Sequence, residues 1–88
     1  MKTAKLKWTD VESSNVQSVA YHETSKTLCV RFHNGGLYTY DHVGQQVYVE
    51  LVHADSVGKY LNHAVKGIFP YTKWSNEKDL LADLAKRK

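Results

Sequence analysis

Cysteine is nearly missing from these 88 residues, where Cys29 stands alone. An internal disulfide is thereby excluded, and a single thiol fits a protein of the reducing cytoplasm. Proline occurs once, at Pro70, and no linker, repeat or low-complexity tract divides the chain. Arginine is confined to Arg31 and Arg87, short of the density that a committed duplex binder carries. Nowhere do eighteen apolar residues follow one another, so no membrane partner is expected. The charged start Met1 to Lys7 leads into no apolar run of the kind a secretion signal needs.

Catalytic patterns are equally scarce. The five histidines, His22, His33, His42, His53 and His63, lie about ten residues apart and never at the i, i+4 spacing of a helical metal pair, so no metal is expected. Cys29 and His33 share a strand face, but four residues of strand hold them roughly 13 Å apart, too far for a nucleophile and its base. No paired carboxylates suggest glycosidase chemistry. The glycine pair in Asn34-Gly35-Gly36 is explained by a hairpin rather than by a phosphate-cradling loop. These absences point to a protein that is not an enzyme and needs no cofactor.

What remains is enough for one domain. A hydrophobic share of 42% with 24% charged residues describes a chain able to fold without staples. Six tyrosines and two tryptophans exceed what a small core requires. The net charge of +3 favours an acidic partner, and its distribution sharpens that: Lys59, Lys66 and Lys73 lie between Ser56 and Ser75 with no acid among them.

Alternation predicts strands over 15–23 and 26–33, turning through Glu23-Thr24-Ser25-Lys26. With His22 opposite Thr27, Val19, Tyr21, Leu28, Val30 and Phe32 share one face. A third strand, Leu37 to Tyr40, follows the Asn-Gly-Gly turn, and two registers are open. A two-residue turn sets Tyr38 and Tyr40 beside Arg31, away from the first core, as an aromatic and guanidinium platform. A three-residue loop with a bulge puts both tyrosines with Phe32 in the core.

From Gln45 the period lengthens to 3.6, predicting a helix to His53. A second helix begins after Asp55-Ser56, with Val57, Tyr60, Leu61, Ala64, Val65 and Ile68 as its apolar stripe. Its other face carries Lys59, Asn62, His63 and Lys66. An oxygen-bearing residue at its start, free first-turn amides and two ammonium groups suggest a phosphate site. Phe69 to Trp74 reads as an aromatic connector. Ser75-Asn76-Glu77 caps a last helix with Leu80, Leu81, Leu84 and Ala85 as its stripe, and the basic end through Lys88 is expected to fray.

Several blocks resemble the KTSC domain: Val11 to Val16, Ser18-Val19-Ala20-Tyr21, Thr27 to Phe32, Gly36 to Tyr40 and Ser56 to Asn62. That family is named for a module at the C-terminus of some lysyl-tRNA synthetases and also stands alone in bacterial and phage proteins. The resemblance implies a compact α+β fold and a role in binding RNA. Its serine, glycine, aromatic, asparagine and basic pattern falls on Ser56, Gly58, Tyr60, Asn62 and Lys66, and its sheet aromatics on Tyr21, Tyr38 and Tyr40. Gly44 stands where the family commonly has proline, and Tyr60-Leu61 replaces a more usual Phe-Phe.

The expectation is a three-stranded antiparallel meander packed with two or three helices: residues 1–10 an arm or short edge strand, 11–71 the KTSC-like domain, 72–88 a terminal helix packed on or extending that domain. The function expected is binding of RNA or another phosphate-bearing ligand through Ser56, Gly58, Lys59, Asn62, Lys66, Arg31 and Tyr38. The alternatives are capture of a nucleotide signal in a pocket and a homo-oligomer formed through Trp8, Trp74 and the last helix.

Overall fold

Alternating apolar residues build the sheet, and the computed structural model describes residues 6–86. In chain order the elements are β1 (Thr9–Asp10), β2 (Val16–His22), β3 (Thr27–Phe32), β4 (Leu37–Tyr40), α1 (Gln45–Val52), α2 (Val57–Ala64), β5 (Tyr71–Trp74) and α3 (Glu77–Lys86). The strands form one sheet in the order β1-β2-β3-β4-β5, with every neighbouring pair antiparallel. The α+β class is as expected, but the sheet has five strands rather than three. Thr9–Asp10 forms the short edge expected near the start, while residues 1–5 lie outside the described residues.

The second addition corrects a reading. Tyr71–Trp74 is not a connector: it pairs with β4, Tyr40 facing Tyr71 and Tyr38 facing Lys73. The amide of Asp41 donates to the Pro70 carbonyl at 2.9 Å, which clamps the two strands where they meet. A boundary between residues 71 and 72 would therefore cut through a strand.

The β2–β3 hairpin has the predicted pairing of His22 with Thr27. The next turn takes a three-residue loop, but over His33-Asn34-Gly35 rather than Asn34-Gly35-Gly36, the Phe32 amide donating to the Gly36 carbonyl at 2.8 Å. Arg31 faces Leu37 and Val30 faces Tyr38, so Tyr38 and Tyr40 fall on the Phe32 side. Gly35 makes this turn with φ +94, a left-handed position that a side chain would strain, while the Asn34 carboxamide accepts from the Gly36 amide at 2.9 Å.

The two sheet faces bury different sets. Val16, Val19, Leu28, Val30 and Tyr40 pack beneath the helical residues Leu51, Val57 and Leu61. On the opposite face Ala20, Cys29 and Leu37 pack beneath Leu80 and Leu84 of α3, with Trp8 and Trp74 at the margin. Of the two roles open to the last helix, packing on the domain or self-association, Leu80 and Leu84 of its apolar stripe serve packing within the chain. Arg87 and Lys88, where fraying was expected, lie outside the described residues.

Ser56 caps α2, its Oγ accepting from the Lys59 amide at 3.3 Å. Ser56→Ala is expected to cost about 1 kcal/mol, readable as a lower urea midpoint at unchanged slope. The helix ends at Ala64, sooner than the sequence stripe suggests, because the chain turns back through Gly67 at φ +78. Ile68, expected on the buried stripe, is consequently 62% exposed.

Candidate functional site

Five strands are wider than the two helices that cover them, and the β4–β5 end of the first face stays open. Aromatic side chains occupy it. Phe32 meets Tyr38 edge-on at 5.5 Å between ring centroids, Tyr38 meets Tyr71 at 5.9 Å and Tyr40 meets Tyr71 at 6.3 Å. The inner and outer members differ sharply. Tyr40 is buried, and desolvation with the neighbouring Tyr38 and Tyr71 pushes its phenol up to about 12, so it stays neutral. Tyr71, at the outer end, is 64% exposed.

These rings floor a furrow of about 660 Å³ whose cationic walls are Lys66 and Lys73. Register places Lys73 beside Tyr38. The early end of α2 places Lys66, which no longer continues the helical face of Lys59 and Asn62; its ammonium lies 5.2 Å from the centre of the Phe32 ring. Among the described residues no carboxylate lines the furrow, so the two charges are not neutralised within it.

A second cavity of about 350 Å³ adjoins the first, between the start of β2 and α2. Its walls mix the polar side chains of Asn15, His33 and Asn62 and the backbone at Gly58 with apolar Val16, Phe32 and Leu61. Phe32, Asn34 and Lys66 line both cavities and form the ridge between them. Gly58 has a packing reason to lack a side chain, since a Cβ there would stand 3.3 Å from the Ser13 hydroxyl. That hydroxyl accepts from the Asn15 and Val16 amides at 3.2 Å each, and the His33 ring meets the Ser13 carbonyl at 3.0 Å. The turn that presents Asn15 is therefore built before any ligand arrives.

The residues expected at the site are redistributed. Gly58, Asn62 and Lys66 come together at the smaller cavity, and Tyr38 joins Lys66 at the furrow. Ser56 spends its hydroxyl on its own helix, and exposed Lys59 lines neither cavity, which weakens the phosphate site expected at the helix start. Arg31 is parted from Tyr38 by the register that the loop sets: Tyr38 pairs with Val30, and Arg31, one residue on, points to the other face. Its guanidinium pairs with Glu77 of α3 and lies 4.5 Å over the Trp8 ring, so the expected Arg31–Tyr38 platform does not form. Tyr60 links the helices by donating to Glu50 at 3.0 Å; the Gln46 carboxamide, donating to the same carboxyl at 2.9 Å, and then this bond hold Glu50 below its ordinary range.

Sequence reasoning missed Tyr71 and Lys73 as site residues. The alternation in Tyr71-Thr72-Lys73-Trp74 was the available signal, hidden because four residues bracketed by Pro70 and a cap look like a connector. Among the described residues no group of three or more His, Cys, Asp or Glu could hold a metal, and no helix is long and apolar enough to cross a membrane.

The KTSC domain model matches residues 12–69. A protein of Tsukamurella paurometabola is 36% identical over 59 residues, covering 67% of this chain and 88% of its own. The lysine–tRNA ligase of Nostoc sp. is 36% identical over 64 residues, 73% of this chain but only 11% of the ligase. The crystal structure of a KTSC domain protein from Yersinia pestis superposes with a TM-score of 0.77 at 26% identity, covering 80% of this chain and 99% of that one.

Proposed function

The chain belongs to the KTSC domain family, and from that premise we propose that it is a non-enzymatic module that binds single-stranded RNA along the aromatic furrow. The observation that carries this reading is Tyr71: a mostly exposed ring, 5.9 Å from the Tyr38 ring between centroids, in a furrow also lined by Lys66 and Lys73 and, among the described residues, by no carboxylate. Bases present π-faces to such rings while phosphates meet the ammonium groups, a combination suited to unpaired strands rather than to duplexes. The relative whose name specifies a tRNA ligase supports an RNA partner. Its catalytic activity is not carried over, since this chain matches only 11% of its length. The buried thiol of Cys29 supports a cytoplasmic setting.

Fluorescence anisotropy with a labelled eight-nucleotide RNA tests the proposal. Tyr71→Ala is expected to weaken binding by roughly 5- to 150-fold, the worth of one base stacked on an aromatic ring, with little change in thermal midpoint because the ring is mostly in water. Equal affinity of the variant and the original chain would remove the furrow as the binding surface. Capture of a mononucleotide is the rival reading, suggested by the size of the smaller cavity. It requires saturable binding of a nucleoside monophosphate and indifference to the oligonucleotide.

A further inference from the structure

We propose that the two cavities are halves of one track for a single strand, with the linking phosphate crossing the ridge at Lys66, one base stacked in the furrow and its neighbour read by polar groups in the smaller cavity. This rests on the RNA reading of the furrow and adds the part of the ligand that reaches beyond it.

Three features carry the inference. First, the cavities are contiguous, because Phe32, Asn34 and Lys66 belong to both. A ligand passing from one to the other crosses an ammonium group poised over the edge of an aromatic surface. Second, the ridge is fixed by the fold, with the Asn34 carboxamide tied to the Gly36 amide and the preceding Phe32 amide bonded to the Gly36 carbonyl at 2.8 Å. Third, each side presents groups the other lacks. The furrow offers ring faces, which accept any base; the smaller cavity offers the carboxamides of Asn15 and Asn62, which both donate and accept in the manner of a base edge. Among the described residues the Asn62 side chain makes no hydrogen bond, so it is available to a ligand.

A phosphodiester carries one negative charge and a nucleoside on each side, which is the symmetry of a cation flanked by two cavities. A mononucleotide fills one half only. A dinucleotide fills both, and its second contact is made at the high effective concentration set by the first.

Nuclear magnetic resonance titrations of the ¹⁵N-labelled chain with AMP, the dinucleotide ApA and the hexanucleotides r(A)6 and r(U)6 test this. ApA is expected to bind at least about tenfold more tightly than AMP and to shift amides around both Asn62 and Tyr71, whereas AMP shifts those around one cavity. Asn62→Ala is expected to weaken ApA by about tenfold and to narrow the difference between r(A)6 and r(U)6, as loss of a base-edge contact does. If ApA binds no more tightly than AMP, or Asn62→Ala leaves r(A)6 unchanged while Tyr71→Ala weakens it, the track is refuted and the furrow stands. If no oligonucleotide shifts either set, both proposals fall.

Discussion

Reversing both furrow charges, Lys66→Glu with Lys73→Glu, is expected to weaken single-stranded RNA binding by about two orders of magnitude at ~0.1 M salt and to flatten its salt dependence. Each phosphate neutralised on a single strand contributes about 0.7 to the slope of log affinity against log salt, so losing two contacts lowers that slope by roughly 1.4. The remaining affinity would come from stacking alone, against carboxylates that repel the strand. Both lysines are exposed, and the interaction of Lys66 with the Phe32 ring is worth only about 0.5–1 kcal/mol, so the double variant should stay folded. Lys59→Glu is the informative control. It makes the same kind of charge change on the same helix-bearing side of the molecule but lines neither cavity, so its effect should stay below about twofold where salt screens exposed charges. Equal losses from Lys59 and the furrow pair would return the site to the start of α2; an unchanged affinity and slope in the double variant would eliminate the furrow.

The largest effect on stability is expected from Leu84→Asp. Leu84 is 1% exposed and packs with Leu80 on the sheet face formed by Ala20, Cys29 and Leu37. Removing the side chain costs about 2–5 kcal/mol, and an unpaired carboxylate in its place adds a desolvation penalty of several more. That approaches the whole stability of an ordinary small domain, about 5–15 kcal/mol. The expected result is loss of cooperative urea unfolding, dye binding by exposed apolar surface, and reaction of Cys29 with a thiol reagent that the original chain resists. A folded variant with Cys29 still protected would mean that α3 is not the cover of this face. The outcome also separates this role from self-association: a helix that only joined two copies would, on gaining a carboxylate at this position, give a stable monomer.

Local pattern carried the β2–β3 hairpin, because a turn through Glu23-Thr24-Ser25-Lys26 set His22 opposite Thr27 and the parities of the two strands agreed with it. It also carried the starts of α2 and α3, where Ser56 and Asn76 accept from amides three residues on, the latter from Asp79 at 2.8 Å. Other features depended on geometry that the sequence leaves degenerate. Asn34-Gly35-Gly36 accommodates a loop of either length, and one residue of slip moves Tyr38 and Tyr40 across the sheet. Periodicity ran from Val57 to Ile68 without a break, yet the helix stops at Ala64, and that early stop turns Lys66 out of the Lys59 face and onto Phe32. Arg31 looked like a binding group because arginine beside tyrosine so often is; Glu77, forty-six residues away, claims it instead.

The sequence by itself determined the α+β class and the strands β2, β3 and β4, which follow from residue type and short-range period, and the family, which follows from an ordered series of matching blocks. Only the tertiary structure decided that Tyr71 and Lys73 form a fifth strand beside Tyr38, and that Lys66 stands between two cavities. Those facts depend on which distant segments pair, and backbone hydrogen bonds between strands form without regard to how many residues of chain lie between them.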